Sequence, residues 1–256
     1  MDFRKFPSHI EQIAHRASKE RFFSDTLTPQ GNPTGTADGA LPVVVGAGKS
    51  LAFAKPTNFQ SHSEIHAVHE KIAADLAFNL GLPVPPVQLV KGGALPNYSH
   101  LMAISYVPFP QPRPLSDHNL LSNQDITRLS VTANAMQAFY TWILDGDHAG
   151  HQENVIFGRP DQTSEYDLAF IDHSYSLTHS WDRQNPAAAA SVGHIHHIFS
   201  GAGNSGALEV ANRILGLEES AIRGIIEPLA AYLPPGDADA LATYLLARRT
   251  GLAALF

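Results

Sequence analysis

Trp142-Ile143-Leu144-Asp145-Gly146-Asp147-His148-Ala149-Gly150-His151-Gln152-Glu153-Asn154 is followed, after a short hydrophobic segment, by Ala169-Phe170-Ile171-Asp172-His173-Ser174. The order is an aspartate, an asparagine downstream of it, and a second aspartate at the end of an apolar strand. A carboxylate in a polar turn can accept the proton of a hydroxyl nucleophile. An asparagine carbonyl and a carboxylate are oxygen donors of the kind that hold Mg²⁺. Asp and Asn also dominate ordinary turns, so each residue alone says little. Their order is what points to phosphoryl transfer from ATP, with Asp147 orienting the acceptor hydroxyl and Asn154 and Asp172 holding the metal.

Such a site also needs a cation on the phosphates and a group that holds the cation in place. Toward the N-terminus, Leu51-Ala52-Phe53-Ala54-Lys55-Pro56 reads as an apolar strand ending in a lysine. From Glu64 the apolar residues Ile65, Val68, Ile72, Leu76 and Leu80 recur at three- and four-residue steps, which predicts a helix ending at Gly81 with Pro83 beyond it. Glu70 lies in that helix and is the expected partner of Lys55, with Glu64 as a competitor. A strand-end lysine and a helix glutamate are more often solvated surface groups. Only their combination with the downstream carboxylates singles them out.

The remaining elements follow the same rules. Ile10 to Phe23 reads as an amphipathic helix, and Thr26 to Gly39 as a connection rich in Gly, Pro and Thr. Leu41 to Val45 and Leu51 to Ala54 read as a hairpin. Val87 to Val90 and His100 to Val107 are further strands, and Pro108 to Pro114 is a connector. Asn123 to Leu144 is a long helix. Val155 to Phe157 and Leu168 to Ile171 are short strands, and the chain from Ala187 onward is helical. Strands cluster in the first part and helices in the second. The expected fold is α+β and two-lobed, a small antiparallel sheet in residues 1–104 and a mostly helical part in 105–256.

Composition narrows the function. The chain has 256 residues, enough for two packed lobes, and its formal charge of −7 argues against general nucleic-acid binding. It has no cysteine, which excludes disulfides, thiol catalysis and cysteine-ligated metals. No apolar run approaches membrane-spanning length, so no membrane insertion is expected. The N-terminus lacks the apolar core of a secretion signal, and the expected location is the cytoplasm.

Four segments resemble the HipA-like kinases, relatives within the wider protein-kinase and phosphoinositide-kinase fold. Gly39-Ala-Leu-Pro42-Val-Val-Val45 is similar to that family's first glycine-containing strand segment, and Ala52-Phe-Ala-Lys55-Pro to its lysine strand. His69-Glu70 through Gly81-Leu-Pro83-Val-Pro85 resembles its glutamate helix and the run that ends it. Trp142 to Asn154 with Ile171-Asp172-His173 resembles its catalytic loop and metal aspartate, and Leu245 to Leu255 is similar to the end of such chains. The resemblance implies that Lys55 contacts ATP, Glu70 pairs with it, Asp147 is catalytic, and Asn154 and Asp172 bind Mg²⁺. It also implies a protein Ser or Thr as acceptor, although a small-molecule alcohol stays open. Adenine is expected near Ser105, Tyr106 and Val107. The phosphate-covering loop is expected within Thr34 to Leu41, where Gly35 and Gly39 permit close backbone approach, and His151 and His173 are expected in the site, contacting phosphate or the metal-bound water or shaping the loop.

The family's loop places five positions between Asp and Asn. Here seven separate Asp147 from Asn154, and His148 stands where Arg is expected. Aligning from Trp142 selects Asp147 and implies a two-residue insertion, with Asp145 as the fallback. The longer loop motivates a second reading, a kinase-shaped nucleotide-binding module with little activity. Fourteen histidines motivate a third, a His-ligated metal hydrolase using His62, His66 and His69, or a cluster at His194, His196 and His197. Gly46-Ala-Gly48-Lys49-Ser50 mimics the end of a Walker A motif but lacks its first glycine, Val43 standing there. It reads as a hairpin turn.

Overall fold

A computed structural model describes residues 2–24, 26–32, 39–46, 49–57, 63–95, 98–145, 148, 151–177, 195–200 and 203–256. The first half is a five-stranded antiparallel sheet in the order β1-β2-β3-β5-β4. Its strands are β1 (Leu27–Pro29), β2 (Leu41–Val45), β3 (Ser50–Pro56), β4 (Val87–Val90) and β5 (Met102–Tyr106). The β2–β3 hairpin pairs Val45 with Ser50 and Leu41 with Ala54. Gly46 (φ 60°) and Lys49 (φ 52°) take left-handed backbone there, as a hairpin connection requires and a helix start would not.

Two expectations shift. The first helix, α1 (Ser8–Ala17), ends before Phe23. Beyond it the chain runs beside β4 instead, where Phe23 N–H donates to Leu89 O and Leu89 N–H to Arg21 O. Part of the Gly/Pro/Thr-rich connection is β1, which pairs with β2.

Helix α2 (Glu64–Leu80) forms as its periodicity predicts. Ser63 starts it by donating its N–H to His66 Nδ1 at 3.0 Å, and Gly81 ends it with a φ of 69°. Twelve of its seventeen residues are buried, which a helix lying on only one neighbour could not achieve. One side meets β4 and β5, and the other meets α4 (Ser205–Leu215) and α5 (Glu219–Ile226). A single apolar core therefore runs from Val87 and Leu89 of the sheet through Ile72 and Leu76 to Val210 and Ile222. Each such side chain contributes about 1.5–3 kcal/mol when fully buried. Polar groups caught inside this helix have to be paired. Lys71 donates to Asp75 at 2.5 Å and to Ala17 O at 3.0 Å.

The second half is mostly helical: α3 (Asn123–Ile143), α4, α5 and α6 (Asp237–Arg249). Ser122 and Asp125 form a reciprocal cap at the start of α3. At its other end, Trp142 Nε1 donates to Leu245 O at 2.9 Å, and the buried Arg248 Nε donates to Thr141 O at 2.8 Å. Arg248 thus satisfies a helix-end carbonyl that has no partner within α3. A three-stranded sheet, β6 (Arg113–Pro114), β7 (Val155–Gly158) and β8 (Asp167–Phe170), lies between the halves in sequence. The anticipated α+β organisation, antiparallel sheet first and helices after, is the one observed. No helix among the described residues is long and apolar enough to cross a membrane.

Candidate active site

Lys55 occupies the sixth position of β3, and its side chain is 8 % exposed. Its Nζ lies 3.1 Å from Glu70 Oε1 and 2.7 Å from Asp172 Oδ1. One ammonium thus bridges a carboxylate from α2 and one from the segment after β8. Ser105 Oγ donates to the same Glu70 oxygen at 2.6 Å. Burial raises the Glu70 carboxyl above its ordinary range, and Lys55 acts against that rise. Glu64 does not compete for the lysine. It accepts the Leu101 N–H at 2.9 Å, just before β5.

Asp172 is an unusual residue in its backbone. Its φ is 63°, a left-handed conformation that costs a non-glycine residue about 1–2 kcal/mol. Neighbours on both sides hold it there. Ile171 N–H donates to Asn154 O at 2.9 Å, His148 Nε2 donates to Ile171 O at 2.7 Å, and Ser174 Oγ donates to Asp172 Oδ1 at 2.7 Å. Asn154 is buried at the end of a 3-10 turn, Gln152–Asn154, directly before β7. The β7–β8 hairpin pairs Val155 with Phe170, which brings Asn154 and Asp172 to the same end of the small sheet.

Beneath this end lies a buried cluster that joins the fallback Asp145 and His173 through His148, a partnership the sequence did not reveal. His148 Nδ1 meets Asp145 Oδ1 at 2.9 Å, and the His148 ring stacks on Tyr140 at 4.5 Å. Burial alone would discharge both groups of the pair. Mutual attraction outweighs it, raising the His148 imidazole and lowering the Asp145 carboxyl, so the pair is charged. The adjacent His173 ring is pushed down to about 3 by burial and by the charge on His148, so it is neutral. Asp145, His148 and His173 are also the group of three potential metal ligands among the described residues. Both His148 nitrogens are already committed, one to Asp145 and one to the Ile171 carbonyl. That is the bonding of an imidazolium, which has no lone pair for a metal.

The other expected residues fall as follows. Asp147 lies outside the described residues, as do Gly35, His62 and His194. Gly39 is described and turns the chain into β2 with a φ of 56°. His66 caps α2, His69 is fully buried in it, and neither belongs to a three-ligand group among the described residues. His151 is half exposed and pairs with Glu153 at 2.7 Å. Tyr106 lies in β5. It pairs with Ala52 across the sheet, so its ring packs on the face away from Lys55, and its hydroxyl donates to Gln88 Oε1 at 2.9 Å. The Val107 N–H is likewise taken, by Leu51 O at 3.0 Å. On the Lys55 face stand Leu51 and Phe53, 55 % and 38 % exposed, where an apolar surface is left open beside the ammonium. Strict alternation along β3 carried that signal.

No protein-family model matches the chain. No curated protein matches it. Solved structures with remote similarity include WaaP in complex with acyl carrier protein, 15 % identical, covering 88 % of this chain and 89 % of that one at a TM-score of 0.41. They also include the Golgi casein kinase with Mn/ADP bound, 9 % identical, covering 97 % of this chain and 76 % of that one at a TM-score of 0.49. At such distances the residue roles rest on this chain's own side chains.

Proposed function

We propose that this chain is an ATP- and Mg²⁺-dependent phosphotransferase of the HipA-like kinase type, acting on a hydroxyl, in the first instance a protein Ser or Thr. The observation that carries the reading is the Lys55 ammonium held between Glu70 and Asp172. Three elements far apart in sequence converge on one cation, in the arrangement of strand lysine, helix glutamate and metal aspartate that protein kinases use.

The donor set fits the metal. Asp172 and Asn154 offer hard oxygen atoms, on a backbone fixed by the Ile171–Asn154 hydrogen bond. These two residues would hold Mg²⁺, which supplies charge neutralisation to the ATP phosphates. Lys55 would bind phosphate oxygens, kept in position by Glu70 and, through Glu70, by Ser105. Leu51 and Phe53 supply an apolar surface against which a base can lie. Asp147 would take the acceptor's proton as its oxygen bonds to the γ-phosphorus and the bond to the ADP oxygen breaks. The His148–Asp145 pair would keep the Ile171–Asp172 peptide in its left-handed setting.

Calorimetry with ATP and Mg²⁺, together with an autophosphorylation assay, tests the reading. The expected result is metal-dependent nucleotide binding and phosphate incorporation that Asp147→Ala abolishes. Binding without turnover, unchanged in Asp147→Ala, would instead identify a nucleotide-binding module.

A further inference from the structure

The end of the β6–β7–β8 sheet away from Asn154 and Asp172 borders an open groove of about 970 Å³. Its walls come from the start of α1, the connector before β6, and the β7–β8 turn. Along β7 the groove and the Lys55 cluster are separated by four residues of strand, roughly 13 Å. The groove therefore belongs to a different surface from the site above.

Its charges are left over in a protein that is acidic overall. Arg113 and Arg159 both line it, and neither has a carboxylate partner among the described residues. The contrast with a nearby arginine is sharp. Arg128 is within 3.7 Å of Asp125, 3.1 Å of Glu165 and 3.5 Å of Asp167, so its charge is spent. Arg159 is held instead by stacking, its guanidinium 4.4 Å from the centre of the Tyr166 ring. Stacking fixes the plane of a guanidinium while leaving its edge N–H groups free to fork onto a carboxylate. Tyr166 is itself anchored edge-on to the buried Phe157, so this arginine is presented on a rigid support.

The one carboxylate in the wall, Asp161, is occupied by its own turn. It accepts from the N–H and hydroxyl of both Thr163 and Ser164. Ser8 and His9 add the first turn of α1, which carries no side-chain cap, and opening amides of a helix favour anions. Leu120, 52 % exposed, supplies an apolar contact on the same rim. The combination is a groove too large for a single ion, with two free guanidinium groups and one aliphatic side chain.

We infer that this groove docks an acidic peptide segment of a protein partner, its carboxylates on Arg113 and Arg159 and an apolar residue on Leu120. The inference stands on the groove itself and holds whether or not the Lys55 site transfers phosphate.

Fluorescence anisotropy with short labelled peptides on the full chain tests it. A Glu/Leu peptide should saturate and bind about tenfold tighter than its Gln/Leu counterpart, with a Lys/Leu peptide weaker still. Added salt should weaken the Glu/Leu peptide. The double variant Arg113→Glu, Arg159→Glu should lose binding by at least about tenfold while keeping the wild-type melting temperature, since both side chains are exposed. Saturating ATP should not displace the peptide. A Glu/Leu peptide that does not saturate, that binds the charge-reversed variant equally well, or that ATP displaces would overturn the inference.

Discussion

Replacing Lys55 by methionine keeps the shape of the side chain and removes the charge that two carboxylates share. At 2.7 and 3.1 Å, with an effective dielectric constant near 20, each contact is worth about 5–6 kcal/mol of gross attraction. Most of that is already offset by the cost of taking the groups out of water. Asp172, 20 % exposed, can partly rehydrate, whereas Glu70, at 2 %, cannot. Breaking a buried pair of this kind leaves a net loss of about 3–5 kcal/mol. The loss depends on pH because Glu70 can escape by taking up a proton. Its folded-state carboxyl is already raised by burial, and Lys55 is the main group opposing that rise. Without the lysine it rises further, so the folded variant holds its proton to higher pH than the unfolded chain does. Folding is then favoured while Glu70 is protonated, and stability is lost as pH climbs through the raised value. The deficit of Lys55→Met against wild type should therefore be smaller at about pH 5.5 than at about pH 8, read from urea unfolding midpoints. On the proposed function, phosphoryl transfer should fall by roughly 10²–10³ as a charge on the phosphates disappears. A variant as stable as wild type at the higher pH, or one whose deficit grows on acidification, would refute the reasoning.

Other outcomes follow from the same structure. Asp145→Ala strands the His148 imidazolium in the core and should cost about 3–5 kcal/mol, visible as a large drop in melting temperature; an unchanged melt would mean the pair is not charged. Asp172→Asn should leave the fold intact and weaken ATP binding measured with Mg²⁺ far more than binding measured with EDTA. Gly81→Ala forces a side chain into left-handed backbone, with a new Cβ 3.3 Å from the Arg213 guanidinium, and should lower stability by about 1–2 kcal/mol in urea.

What could be read from the residues was whatever depended on period and order. Five apolar side chains at helical steps define α2, whereas element order left Glu64 and Glu70 both open as partners of Lys55 and only the family resemblance favoured Glu70. What escaped depended on geometry that no period encodes. Leu27-Thr28-Pro29 is too short to stand out as a strand, and it forms only because β2 offers an edge. His148 was weighed only as a departure from an expected arginine. Its partnership with Asp145 and with the Ile171 carbonyl appears only when the loop and β8 are folded against each other.

The double-sided burial of α2 has a mechanical consequence. Many two-part enzymes let one half swing or fray while the other stays intact, because few contacts bind them. Here the helix that carries Glu70 is gripped by the sheet and by α4 and α5 at once. Neither half can be peeled away without exposing the other's interior, so limited proteolysis should yield no surviving fragment.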